Sequence, residues 1–180
     1  LRLRDILVEQ GGVRVAMTRE TDRIVTLAER PEIARQLGAD LFLSIHADFA
    51  GDLSQVSGAS IYTLSNEASS EAAARFAARE NNADRLNGVE IEDQGDVVSK
   101  MLVELSQGRT QEESTEFARL IEREGQERIA FHPAALRSAA LAVLRAPDVP
   151  AVLFESGSVT NREDRAKLTT QEGRNAYADV

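Results

Sequence analysis

Two short apolar runs end in side chains that could do chemistry together. Asp40–Asp48 reads DLFLSIHAD and carries His46, and Pro150–Glu155 reads PAVLFE and ends in Glu155. Runs of this length without polar alternation are typical of strands buried on both faces of a sheet, and functional groups gather where such strands end. An imidazole and a carboxylate at one sheet edge are the groups that a metal-dependent hydrolase needs.

Each of these side chains also has a structural interpretation. A single histidine at a strand end is more often structural than a metal ligand. Glu155 follows apolar residues, where a carboxylate is costly to bury unless it is paired or bound. It could instead brace the backbone amides around Gly157 and Asn161. His132 precedes Pro133 in a predicted loop, and we interpret it as a solvated surface residue.

The first part of the chain predicts alternating helices and strands. Capping residues, apolar spacing and alternation predict, in chain order, a helix at Leu1–Gln10, a strand at Val13–Met17, a helix at Thr26–Leu37, the strand that carries His46, and a strand at Gly58–Leu64. In the second helix, Thr26 and Glu29 form a capping box, and Pro31 predicts a bend because it removes a backbone donor.

An acidic, helix-rich segment interrupts this order. Between Ser65 and Ala130 the chain has fifteen Asp and Glu residues against eight Lys and Arg, whereas the rest is nearly balanced. Composition and apolar spacing predict three helices there, at Ala68–Ala83, Val97–Leu105 and Glu112–Arg128. We therefore expect an inserted helical segment at about residues 66–130, with a function of its own.

The last part of the chain returns to strands. The pattern predicts a strand at Leu141–Arg145, the strand that ends at Glu155, a small-residue loop at Ser156–Asn161, and helices at Arg162–Leu168 and Thr170–Ala178. Together these elements predict the α/β class: a single domain with a mixed central sheet flanked by helices and with an acidic helical insertion.

Composition limits the classes of function. The 180 residues carry a net charge of −9, which argues against nucleic acid as a partner, because phosphate binding needs clustered Lys and Arg. Cysteine is absent, so zinc would have to be held by His, Asp or Glu. No apolar stretch approaches the roughly 20 residues that span a bilayer. The chain begins at Leu1, and we expect it to be a piece of a longer precursor.

Motifs along nearly the whole chain fit one known enzyme family. The motifs Thr18–Asp22 (TRETD), Ala39–Asp48 (ADLFLSIHAD) and Val143–Leu153 (VLRAPDVPAVL), followed by Glu155 and Asn161, resemble the zinc-dependent N-acetylmuramoyl-L-alanine amidases. Three further stretches are similar to the cell-division branch of that family: Gly58–Ser65 (GASIYTLS), Arg79–Asp84 (RENNAD) and Leu102–Gln107 (LVELSQ).

The resemblance implies a hydrolase that cuts the amide between the lactyl group of N-acetylmuramic acid and the L-alanine of the peptidoglycan stem. In that family two histidines and a glutamate hold zinc, and His46 matches the second histidine. Glu155 matches the general base, which takes a proton from water and passes it to the leaving nitrogen. The other two ligands should precede Leu1. The family usually has an aromatic residue after the glycine that follows this glutamate, whereas Ser158 follows Gly157 here.

The acidic insertion fits the same resemblance. In the division amidases an inserted helical segment lies across the active site, and one of its glutamates occupies a zinc position until an activator protein displaces the helix. Glu80 matches that glutamate, and its alternative role is a solvated helix charge. The apolar stripe within Val97–Leu105 would either pack the insertion down or receive the activator. The resemblance implies the periplasm as the location.

Three hypotheses follow for the function. The leading one is a regulated periplasmic zinc amidase that acts on peptidoglycan. The first alternative is a non-catalytic amidase-like fragment that binds cell wall or a partner without hydrolysis. The second is an unrelated α/β binding domain in which His46 and Glu155 are structural. Zinc content, measured with and without the N-terminal segment that we expect before Leu1, distinguishes the first two hypotheses.

Overall fold

The computed structural model describes residues 1–49, 55–86, 88 and 97–180, with only the backbone path for residues 97–107. Within these residues the helices and strands are, in chain order, α1 (Arg2–Gln10), α2 (Glu29–Gln36), β1 (Phe42–Asp48), β2 (Ala59–Leu64), α3 (Glu71–Asn81), α4 (Ala83–Leu86), α5 (Val97–Gly125), β3 (Phe131–Ala139), β4 (Ala151–Ser158), α6 (Arg162–Thr169) and α7 (Gln171–Ala178). None of the helices described combines the length and the hydropathy needed to cross a membrane.

The strands form one mixed sheet in the order β1-β4-β2-β3. β1 runs parallel to β4, β2 runs antiparallel to β4, and β3 runs parallel to β2. The carboxyl ends of β1 and β4 and the amino ends of β2 and β3 therefore lie along the same side of the sheet, where the strands end. We call this side the site edge. This arrangement confirms the predicted α/β class with a mixed central sheet.

Helices cover both faces of the sheet, and each face has its own apolar core. On one face, Leu153 of β4 packs in a cluster with Tyr62 of β2 and Phe76 of α3. On the other face, Phe154 packs with Ala118 of α5. Successive residues of β4 alternate between these two clusters because strand side chains point to opposite faces. Residues of β4 that lie two positions from Leu153 therefore face α3, and so do the residues paired with them on the neighbouring strands.

Side chains form hydrogen bonds at or just before the starts of two helices. The Thr26 N–H donates to the Glu29 carboxylate at 2.7 Å, and the Glu29 N–H donates to Thr26 Oγ1 at 3.3 Å, so the predicted reciprocal hydrogen bonds form. The predicted helix start at Thr26 is wrong, because Ala28 is at the N-cap position. The regular helix α2 begins at Glu29, so Pro31 lies in its first turn, where proline is tolerated. The reason for the predicted bend is thereby removed. In α3, the Ser70 hydroxyl accepts from the Ala73 N–H at 3.1 Å.

The predicted burial of the two central strands is right for β4 and wrong for β1. All eight residues of β4 are buried, and the strand continues to Ser158, through residues predicted as a loop. β1 is an edge strand, and Ile45 is 57% exposed. An apolar run alone does not distinguish a strand with two neighbours from one with a single neighbour.

The structure corrects two further strand predictions and contains one strand that was not predicted. Val13–Met17 pairs with no described strand, and its end residues are 54% and 38% exposed. Leu141–Arg145 is not a strand but contains a buried 3₁₀ turn at Ala142–Leu144, because the apolar run packs into the core without a pairing partner. The strand of that region is β3, in which His132 and Pro133 were predicted to lie in a loop. β3 is an edge strand with a register shift around Pro133, a position that proline tolerates in sheets.

The two helices predicted at Val97–Leu105 and Glu112–Arg128 are one helix, α5. Gly108 lies between them, but a single glycine weakens a helix by only about 1 kcal/mol, and no proline interrupts the run. The apolar stripe within Val97–Leu105 falls outside the described side chains, so its packing stays a prediction.

Candidate active site

Strand pairing places His46 beside Glu155. β1 and β4 run parallel, and His46 lies opposite Glu155 in their register. Paired residues of neighbouring strands project to the same face, here the face that α3 covers, and the strands are about 4.8 Å apart. The structure thus brings together the two residues that the sequence singles out, and the roles assigned to them stay predictions.

Glu155 is a buried acid with one unpaired oxygen. Glu155 is 5% exposed, and the backbone N–H of Asp48 donates to its Oε1. Oε2 is buried without a hydrogen-bond partner in the described part of the chain. Burial, followed by the charge of Asp48 and more weakly that of Glu80, raises the pKa of Glu155 to about 9. At neutral pH this carboxyl group therefore keeps its proton unless a cation lies nearby.

A carboxylate from α3 reaches the imidazole. Glu80 Oε2 lies 2.8 Å from His46 Nδ1, and the two side chains are only 20% and 16% exposed. The other ring nitrogen lies 3.1 Å from Ser44 Oγ. An imidazole with its proton on Nδ1 satisfies both contacts, because Nδ1–H then donates to Glu80 and Nε2 accepts from the Ser44 hydroxyl. Glu80 is therefore a partner of His46 rather than a solvated helix charge.

Asp48 and Arg79 complete the cluster, although sequence reasoning did not single them out. The Arg79 guanidinium donates to both carboxylate oxygens of Asp48, at 2.8 and 3.1 Å. The Asp48 side chain is 15% exposed and that of Arg79 is 45% exposed. Spacing was the available signal, because Asp48 follows His46 by two positions on the same strand face and Arg79 directly precedes Glu80.

His132 lies on β3, separated from β4 by β2, and does not join this cluster. The prediction of a solvated loop residue was wrong, since the ring is half-buried and contacts the Arg137 guanidinium at 2.8 Å. The Ala134 N–H also donates to Nδ1. Burial, followed by the Arg137 charge, lowers the pKa of His132, so the ring is neutral at physiological pH.

The donors at the site edge fit part of a zinc shell. Imidazole nitrogen and carboxylate oxygen are common zinc ligands, and His46 and Glu80 present one of each. The unpaired Oε2 of Glu155 is a polar atom whose burial a nearby cation would offset. Within the described residues, no group of three or more His, Cys, Asp or Glu side chains is arranged to hold a metal. The cluster supplies two donors and an acid, which is less than a complete shell.

Comparison with known proteins gives one consistent family. A family model described as N-acetylmuramoyl-L-alanine amidase matches residues 1–180. N-acetylmuramoyl-L-alanine amidase AmiA of Escherichia coli (strain K12) is 34% identical over 174 residues, which cover 96% of this chain and 60% of the relative. N-acetylmuramoyl-L-alanine amidase AmiC of Escherichia coli O6:H1 is 33% identical over 169 residues, which cover 94% of this chain and 40% of the relative. The chain thus spans less than two thirds of both relatives.

The fold agrees with solved structures. The N-acetylmuramyl-L-alanine amidase Ami1 from Mycobacterium smegmatis superimposes with a TM-score of 0.66 at 22% identity, covering 99% of this chain and 67% of that one. At this identity the likeness concerns the fold alone. Since the family model matches the chain from its first residue to its last, the chain belongs to the N-acetylmuramoyl-L-alanine amidase family.

Proposed function

We propose that the protein is a zinc-dependent peptidoglycan hydrolase of the cell-division branch of its family. Its substrate would be the amide between N-acetylmuramic acid and the L-alanine of the stem peptide. Membership of the family supports the reaction. The observation that carries the proposal is the strand pairing of His46 with Glu155 at the site edge. Glu155 is buried, and its Oε2 has no hydrogen-bond partner among the described residues. A substrate of this kind implies the periplasm or cell envelope as the location.

In this proposal His46 is a zinc ligand and Glu155 moves the proton. When bound, zinc would polarise the scissile carbonyl and make water more acidic. Glu155 takes a proton from the attacking water as the water oxygen adds to the carbonyl carbon. It then donates that proton to the L-alanine nitrogen as the C–N bond breaks, which leaves a lactyl carboxylic acid and a free peptide amine. The acid then loses its proton to the amine, giving a carboxylate and an ammonium group. A cation at this edge would also lower the pKa of Glu155 from about 9, because opposite charge favours the ionised form.

Glu80 is proposed as an internal inhibitor. Its carboxylate holds His46 at 2.8 Å, where a metal or substrate group would otherwise approach the imidazole. The segment at about residues 66–130, to which Glu80 belongs, is proposed as a regulatory insertion, and an activator protein as the partner that frees His46. A contact that blocks one side chain can switch a site without altering the core.

The proposal is tested by Glu155→Gln with Glu163→Gln as the control, because Glu163 is an exposed glutamate on α6. Release of stem peptides from purified peptidoglycan is measured by chromatography, and bound zinc by elemental analysis. Glu155→Gln should abolish release and leave zinc in place, whereas Glu163→Gln should retain both. Turnover that persists in Glu155→Gln removes Glu155 from the mechanism. Absence of zinc from the full-length protein contradicts the proposed zinc-dependent reaction and supports the non-catalytic alternative.

A further inference from the structure

The body of α3 is built into the core of the domain. Ala73, Phe76 and Ala77 are buried, and the Phe76 ring stacks on Tyr62 with their centroids 4.4 Å apart. At the end of the helix, the Asn81 amide donates to the Ala140 carbonyl oxygen and accepts from the Ala142 N–H, each at 2.8 Å. Lifting α3 from the sheet would break these contacts. The release of His46 therefore has to be a local event of the Arg79 and Glu80 side chains, because Asn81 next to them holds the end of α3 in place.

The last turn of α3 contacts β1 through two adjacent side chains. Arg79 binds the Asp48 carboxylate, and Glu80 binds His46, which lies two positions earlier on the same strand. Asp48 is a fixed anchor, because its N–H donates to Glu155 and its carbonyl oxygen accepts from the Val159 N–H at 2.8 Å. Arg79 is the exposed half of its ion pair, at 45% against 15% for Asp48. The ion pair next to Glu80 can thus be broken from the solvent side.

We infer that Arg79 is a positioning residue that holds Glu80 against His46 through its ion pair with Asp48. The inference rests on the proposed function for the role of Glu80 as an inhibitor, and it concerns what keeps Glu80 in place. Loss of the Arg79–Asp48 pair frees the Glu80 carboxylate and exposes the imidazole, while α3 stays packed. A half-exposed ion pair of this kind changes a local equilibrium about two- to fivefold.

The test reads the His46 ring directly in metal-free protein. Nitrogen NMR of the imidazole at pH 8 reports how the ring proton is shared between Nδ1 and Nε2, and contact with Glu80 favours Nδ1–H. Glu80→Ala and Arg79→Gln should each shift the proton towards Nε2, with a shift of about two- to fivefold for Arg79→Gln. The double variant should match Glu80→Ala, because Arg79 acts through Glu80. Arg75→Gln, which breaks the Arg75–Glu71 pair earlier on α3, is the matched control and should leave the ring signals unchanged.

Each result decides one question. Ring signals that move in Glu80→Ala but not in Arg79→Gln overturn the positioning role and leave the proposed inhibitor intact. Ring signals that stay in place in Glu80→Ala overturn the assignment of Glu80 itself. Should Arg79→Gln disturb α3 as a whole, Asp48→Asn removes the same ion pair from the strand side and should give the same shift. Arg79→Lys should retain most of the wild-type ring signal, and an additive shift in the double variant would count against the inference.

Discussion

Replacement of Glu155 by glutamine should stabilise the metal-free protein, and increasingly so as the pH rises. In the folded state the pKa of Glu155 is raised from 4.5 to about 9, chiefly by burial. A raised carboxyl pKa gives stability that is fully present below the unfolded-state pKa and is lost as the pH rises towards the folded-state value. Glutamine fills nearly the same volume and does not titrate, so Glu155→Gln removes this loss.

The magnitude follows from the shift in pKa. At pH 7.5 the unfolded chain has lost the proton, whereas the folded protein has kept it. This pH lies about 3 units above the unfolded-state pKa of 4.5. At about 1.4 kcal/mol per unit, ionisation lowers the free energy of unfolding by at most about 4 kcal/mol, and at pH 5 by less than about 1 kcal/mol. The advantage of Glu155→Gln should therefore grow by about 3 kcal/mol between these two pH values.

Urea unfolding of protein treated with a chelator, followed by circular dichroism from pH 5 to pH 8, measures this difference. Glu163→Gln serves as the control, because Glu163 is exposed on α6 and lies outside the cluster at the site edge. Saturating zinc should reduce the advantage of Glu155→Gln, since a cation favours the ionised carboxylate. Parallel stability curves for wild type and Glu155→Gln would refute the claim that Glu155 is buried as a protonated acid.

Three further predictions concern the scaffold of the site, each measured as a free energy of unfolding in urea. Phe76→Ala removes the ring stacked on Tyr62 and should cost about 3–5 kcal/mol. Asn81→Ala leaves a backbone carbonyl and an N–H without their side-chain partner and should cost about 1–3 kcal/mol. Gly58→Ala should cost at least about 1 kcal/mol, because φ is +86° and a Cβ would lie 2.6 Å from the backbone nitrogen of His132.

The strands that carry the site could be predicted because their signal is local. β4 is buried along its whole length, and its apolar run up to Glu155 reports that burial directly. The sequence of β3 has no comparable signal, because Pro133 is more typical of a loop than of a strand. The register shift that accommodates this proline is visible only in the structure. Leu141–Arg145 shows the converse, since burial alone produces an apolar run in a segment that contains a 3₁₀ turn.

The contact between α3 and β1 depends on packing that no local pattern encodes. The resemblance pointed to Glu80, but the Arg79–Asp48 pair joins residues 31 positions apart and exists because Phe76 fixes the rotation of α3 on the sheet. The result is a site edge where Glu80 contacts the His46 imidazole, Asp48 contacts the Arg79 guanidinium, and Glu155 lies opposite His46 in the strand register. Repulsion from the negative charges of Asp48 and, more weakly, Glu80 adds to burial in disfavouring the ionised form of Glu155. Protonation of Glu155 relieves that repulsion in the metal-free protein, and a bound cation would relieve it in the same way.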